Sequence, residues 1–360
     1  MKKKIDWGYF VSLTLALVLA LTAGGIIMAL AGHNPFDAYG ELLKGATGLK
    51  SFGQIGQLFA KRQFGNTIEY AMVLFLTGLA CAIGARVGIF NVGGEGQLYL
   101  GAIVSAYIGV VLTDLPALIV IPAAAVGAMA AGGFYALIPG VLKVKLKVNE
   151  VITTIMMNSI AIFFCSYLSS GPWKTSHPNR VSGTDTLAPH LQFDKLIPGS
   201  NLTSAIFASA VIALLVWYVL GKTTKGYEMK LVGENPRFAK FAGLKVDKTI
   251  IGSMVISGMI CGLVGMFEVY GLKGNYQDGI SKEYYFDGLL VAMIMRYKPA
   301  GIIAMSFLFA FLKVGAAGME LNAGVPGELY RIIQSIIIFF LAAESGVKQL
   351  LSARKAGAAK

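Results

Sequence analysis

Runs of about 20 consecutive apolar residues recur along this chain from one end to the other, and that length spans the hydrocarbon core of a bilayer as a helix. Within lipid, only helices and closed barrels satisfy their own backbone hydrogen bonds. The runs are continuous rather than alternating, which excludes barrel strands and predicts an all-α, polytopic membrane protein. Composition agrees. Of 360 residues, 56% are hydrophobic and 14% are charged, against roughly 25% charged in soluble domains.

The runs predict about ten spans. They lie near Tyr9 to Ala31, Asn66 to Gly88, Gly94 to Leu112, Leu115 to Leu142, Val151 to Ser170, Leu202 to Leu220, Thr249 to Leu272, Tyr285 to Met295, Ala300 to Lys313 and Leu329 to Ala343. The eighth and ninth are short and meet at Arg296-Tyr297-Lys298-Pro299. An even number of crossings leaves both termini on one side. Placing that side in the cytoplasm puts most of the Lys and Arg there, including Lys2 to Lys4, Arg86, Lys143 to Lys147 and the basic stretch from Lys222 to Lys248. The net charge of +12 then needs no nucleic acid. The first span has a basic start and an Ala29-Leu30-Ala31 resembling a cleavage site, but it is too long for a signal peptide's apolar core and is expected to stay as an anchor. Cys81, Cys165 and Cys261 fall inside apolar spans and are expected to pack there, without a disulfide framework.

A single transmembrane domain over residues 1–360 therefore carries external loops at 33–65 and 171–200 and one cytoplasmic loop at 222–248. In the first, Phe52, Ile55, Leu58 and Phe59 have the spacing of a short interfacial helix. The second holds Pro172, Pro178, Pro189 and Pro198; it reads as loop, either a docking surface or a connector. In the third, Asn235 caps a helix, Pro236 takes its first position and Gly243 closes it in the left-handed conformation. Phe238, Phe241 and Ala242 share one face of that short helix, and Arg237 and Lys240 the other. Either the face dips into lipid headgroups or it docks into a cytoplasmic protein; the defined caps favour docking. Gly221-Lys222-Thr223 has the tail of a phosphate-binding loop, but Val216 stands where its first glycine belongs, so the chain is not expected to bind ATP.

Two polar groups interrupt the apolar spans. Asn91-Val92-Gly93-Gly94-Glu95-Gly96-Gln97 is either a broken helix lining a substrate path or a tight turn in which Glu95 pairs with Arg86. Glu150, Thr154 and Asn158 recur every four residues on one helical face, as interhelical glue or as path lining, and Glu268 poses the same alternatives. Gly84-xxx-Gly88 and Gly258-xxx-Gly262 are expected to allow close helix packing. His33, His177 and His190 are scattered over the external loops, so no zinc site, proton relay or other catalytic constellation is expected.

Asn91 to Gln97 with its continuation (FNVGGEGQLYLGA), Glu150 to Ala161 (EVITTIMMNSIA) and Gly233 to Leu244 (GENPRFAKFAGL) together resemble the ABC importer permeases for branched-chain amino acids, ribose-type sugars and nucleosides. The GGEGQ form is most similar to the nucleoside branch. That resemblance implies a non-enzymatic transport subunit without a cofactor. It further implies a second, homologous permease chain in a heterodimer, a cytoplasmic ATPase subunit and an external substrate-binding lipoprotein. Gly233, Asn235, Pro236, Phe238, Phe241, Ala242 and Gly243 would form the coupling helix seated in the ATPase. Asn91, Glu95, Gln97, Thr154 and Asn158 are the candidate path residues. Relatives commonly carry a Gly/Asn-rich turn where this chain has Arg296-Tyr297-Lys298-Pro299. An intramembrane enzyme and an ion-coupled secondary transporter are the alternatives from other classes; the first would need convergent catalytic groups near one membrane face.

Overall fold

The computed structural model describes residues 7–49, 57–58, 61–176, 182–329 and 331–340. It is built of helices in chain order: α1 (Trp7–Leu30), α2 (Pro35–Thr47), α3 (Arg62–Arg86), α4 (Gly94–Val111), α5 (Ala117–Leu146), α6 (Glu150–Ser170), α7 (Ala205–Lys222), α8 (Thr224–Glu234), α9 (Pro236–Phe241), α10 (Val246–Phe267), α11 (Tyr284–Ile294), α12 (Pro299–Ala323) and α13 (Arg331–Phe340). Among the described residues, six of them, α3, α5, α6, α7, α10 and α12, are long and apolar enough to cross a membrane. The architecture is all-α and polytopic. Phe52, Ile55 and Phe59, three of the four residues of the expected interfacial helix, lie outside the described residues.

The chain divides into two compact units, 68–307 and the two flanking segments together. In the larger unit, α3 and α10 form the core. Of their most apolar windows 89% and 67% are buried, against 28% for α5, α6 and α7, which turn most of their apolar surface outward. Helix α10 packs on α4 and α5 through small residues. A Cβ on Gly258 would stand 2.4 Å from the Gly132 carbonyl oxygen, and one on Gly262 would stand 2.1 Å from that of Ala128. Only hydrogen at these positions lets the helices meet, so this pair packs helices as expected. Gly84 and Gly88 do something else. The carbonyl of Gly84 closes the end of α3 by accepting from Ile89 N–H at 3.1 Å, and Gly88 follows at φ +77°, so this pair makes a chain reversal, with Gly88 lying against Gly233 of α8.

Of the two spans expected to be short, one is short and the other is not. The ninth is 25 residues long as α12, well past Lys313. The eighth, α11, has 11 residues, about 16 Å of helix and roughly half a bilayer core. Between them Arg296 and Tyr297 both take positive φ, +51° and +57°. Both are side chains that favour this left-handed geometry less than Gly or Asn would. The turn is held by Tyr297 N–H donating to the Ala292 carbonyl at 2.8 Å.

Among its described residues the 171–204 stretch has a single 3-10 turn, Pro189–Leu191, yet Leu187 and Leu191 are buried. Its backbone bonds to Gly274 and Tyr276 after α10, and Trp173 stacks on Tyr107 at 4.1 Å. It is a packed cap on the bundle.

In the smaller unit α2 lies on α12. Gly45 and Gly318 meet backbone to backbone, Leu42 covers Gly315, and Asn322 donates to Glu41 at 3.0 Å. Tyr39 anchors α2 to the Leu21 carbonyl of α1.

Candidate functional site

Residues 91–97 form a break between α3 and α4, and the five candidate path residues converge on it. Asn91, Gln97 and Thr154 are essentially inaccessible, with Glu95 and Asn158 nearly so. Backbone groups released by the break find side-chain partners, as burial in an apolar medium demands. Val92 N–H donates to Thr154 Oγ1 at 3.2 Å, and Gly96 N–H donates to Asn158 Oδ1 at 2.8 Å. In return Asn158 Nδ2 donates to the Val92 carbonyl at 2.8 Å. Asn91 Nδ2 reaches both Gln97 Oε1 and Ser257 Oγ, at 3.1 and 3.0 Å. The i, i+4 face of α6 thus clasps the break. Its third member, Glu150, pairs with Lys143 at 2.6 Å.

Glu95 does not pair with Arg86. Arg86 Nη2 donates instead to the Leu220 carbonyl at 3.2 Å, and Glu95 Oε2 accepts the N–H of Tyr285 at 3.0 Å. Glu95 lies in the first turn of α4, and Tyr285 in the first turn of α11. The carboxyl group therefore sits where two helices begin, and their positive dipole ends favour it there without a cation. The partner lies 190 residues away in sequence. Gly94 permits this junction: a Cβ there would stand 2.1 Å or less from Tyr285 ring atoms.

Sequence reasoning missed Tyr285, whose hydroxyl donates to the Asn91 carbonyl, and Ser257. It also passed over Glu69. Glu268 opens a π-helical turn, Glu268–Lys273, that continues α10, a distortion common at functional positions. It is buried, as is Glu69 of α3 beside it. An acid inside an apolar run was the available signal for Glu69.

The second cluster is α9. Asn235 Oδ1 accepts Phe238 N–H at 3.0 Å, with Pro236 in the first turn. At the other end Gly243 has φ +81° and Leu244 N–H donates back to the Ala239 carbonyl at 3.0 Å, a closure that needs glycine's freedom. Ala239 is the buried residue of this helix; Phe238 is 56% exposed and Phe241 93%. Ala242 is exposed beside them. Gly233, at the end of α8, lets the preceding helix approach α3, since a Cβ there would stand 2.4 Å from the Arg86 carbonyl oxygen. Lys222 and Thr223 end α7 and cap α8, with Thr223 Oγ1 accepting Gly226 N–H at 3.2 Å, so they form no phosphate loop.

Long apolar helices closing on each other through glycines, around a hydrogen-bonded break, define a polytopic, all-α membrane protein. The family described as the branched-chain amino acid transport system/permease component matches residues 63–342, and this chain belongs to it as a permease subunit of an ABC importer. It is 34% identical to the guanosine ABC transporter permease protein NupP of Bacillus subtilis, over 95% of both chains. It is 32% identical to the nucleoside ABC transporter permease protein NupB of Lactococcus lactis, over 95% of this chain and 93% of that one. With the glucose ABC transporter permease protein TsgB13 of Haloferax volcanii it shares 31% identity, over 93% of this chain and 87% of that one.

Proposed function

We infer that this permease forms one half of a translocation path for nucleosides and completes it with a second, homologous permease chain. An external lipoprotein delivers the substrate, and a cytoplasmic ATPase subunit drives the cycle. The single observation that carries the mechanism is α9, a six-residue helix capped at both ends that holds two large aromatic side chains out of its own unit. A helix so short is marginal in water, and buried in a partner's groove each Phe contributes about 1.5–3 kcal/mol. Gly233, Asn235, Pro236, Phe238, Phe241, Ala242 and Gly243 are then the coupling element, on the cytoplasmic side with both termini. The count of about ten spans and the single membrane domain belong to the same reading. The break at 91–97 forms the path wall. Asn91, Gln97, Thr154 and Asn158 hold its shape, and Glu95 joins α4 to α11 so that the two move together.

Nucleoside rests on the relatives named for guanosine and nucleosides; the glucose-named relative makes a sugar the second reading. Uptake separates them. Cells from which the chain is deleted should lose uptake of labelled guanosine and tolerate a toxic purine nucleoside analogue, with glucose and ribose uptake unchanged. Retained guanosine uptake with lost sugar uptake would move the substrate to the sugar class. In reconstituted vesicles, uptake that proceeds without the ATPase would contradict the importer mechanism.

A further inference from the structure

Behind the coupling helix, the ends of α7, α8 and α10 leave an open cleft of about 630 Å³. Its rim carries Lys225, Lys245 and Lys248, and its wall includes Val219, Met229 and Ile256. Among the described residues the one acid lining it is Glu228, which is engaged by Lys225 at 2.8 Å. No ion pair involves Lys245 or Lys248 among the described residues, and both are exposed.

The two kinds of side chain are ordered along the helix. Lys248, Gly252 and Ile256 follow one another at four-residue intervals on α10, so the wall turns from cationic to apolar over about 12 Å. At Gly252 an added Cβ would meet nothing within 4 Å, so the groove is open at its middle. Val219 and Ile256 are 38% and 48% exposed on two apolar helices, one of them an outward-facing span.

A basic head end leading into an apolar groove matches the shape and charge order of an anionic phospholipid, whose phosphate lies where the acyl chain enters the bilayer. We propose that this cleft binds one anionic phospholipid of the cytoplasmic leaflet, its phosphate between Lys245 and Lys248 and its chain along Gly252 and Ile256. The lipid lies against the turn between α9 and α10, where it steadies the base of the coupling helix. The assignment rests on the orientation given under Proposed function, but its test reads lipid binding and needs no transport.

The full-length permease in mild detergent is titrated with phosphatidylglycerol, phosphatidylcholine and soluble glycerol 3-phosphate. Bound lipid is followed by native mass spectrometry and by thermal shift. Phosphatidylglycerol should bind at least about tenfold more tightly than phosphatidylcholine, and glycerol 3-phosphate should not shift the midpoint. Lys245→Gln with Lys248→Gln should reduce phosphatidylglycerol affinity about 25-fold, roughly fivefold per lysine, with the midpoint in pure detergent unchanged. Gly252→Leu fills the groove without touching the lysines and should weaken the same binding. Equal binding of the two lipids, full binding in both variants, or a shift by glycerol 3-phosphate equal to that of the lipid would overturn the proposal. So would a lysine variant that keeps the lipid but no longer co-purifies with the ATPase, since the cleft would then belong to the protein interface. Failure of guanosine uptake with lipid binding intact would count against the substrate reading alone.

Discussion

Two helices in this protein are written with the same local code and bury very different shares of their surface. Helix α2 starts at Asn34-Pro35 and α9 at Asn235-Pro236; each asparagine accepts a backbone N–H of the first turn, and each helix closes on a glycine at positive φ, Gly48 and Gly243. Helix α2 then runs 13 residues and turns Ala38, Leu42 and Ala46 into its own unit, leaving Phe36 and Leu43 outside. Helix α9 stops after six residues and buries only Ala239. Capping settles where a helix begins and ends. What it is for depends on where its large apolar side chains find cover. Those of α2 include a seam satisfied within the chain; those of α9 have none, and under the proposed function a partner covers them.

Substitutions can break that comparison at graded cost. The largest loss of stability is expected for Leu42→Ala, about 2–5 kcal/mol for a buried leucine, seen as a lower unfolding midpoint of the purified permease; the matching Phe241→Ala should leave the midpoint where it was. Next is Asn158→Ala. It strips the clasp from Gly96 N–H and the Val92 carbonyl and should cost about 1–3 kcal/mol, because the break, like α2, is satisfied from within. A midpoint unchanged in either Leu42→Ala or Asn158→Ala would show that burial does not hold these regions. Smallest are the caps. Asn34→Ala should cost about 1 kcal/mol and appear as a small midpoint shift, whereas Asn235→Ala should lose a similar amount from α9 and appear instead as weaker ATPase association. Equal midpoint shifts for the two would erase the distinction.

How much of this was legible in the sequence follows from the range of the interactions involved. The caps of α9 are local, and Asn235, Pro236 and Gly243 announced them. The same signature at Asn34, Pro35 and Gly48 went unread because the seam behind it, Ala38 and Ala46 around Leu42, is mostly small and gives little periodic signal. The face of Thr154 and Asn158 was visible from four-residue spacing, but not that it clasps a segment some 60 residues earlier. Glu95 was the hardest. Sequence offers the nearby Arg86 as a partner, while the fold supplies the N–H of Tyr285, and no side-chain chemistry advertises a backbone donor. The shortness of α11 could be read from its apolar run, but the length of α12 was hidden, since an apolar run does not say where a chain stops being helical, and Arg296 and Tyr297 are unusual residues for the left-handed turn between the two.

The central claim is that the exposed aromatic pair of α9 joins this permease to its ATPase. The most direct measurement is co-purification of the ATPase with the Phe238→Ala, Phe241→Ala double variant, read together with guanosine uptake. The account predicts a permease that inserts normally, unfolds at the wild-type midpoint, and loses both the ATPase and the uptake by tenfold or more. Wild-type recovery of the ATPase with unchanged uptake would contradict it, and α9 would then be no more than a connector between α8 and α10.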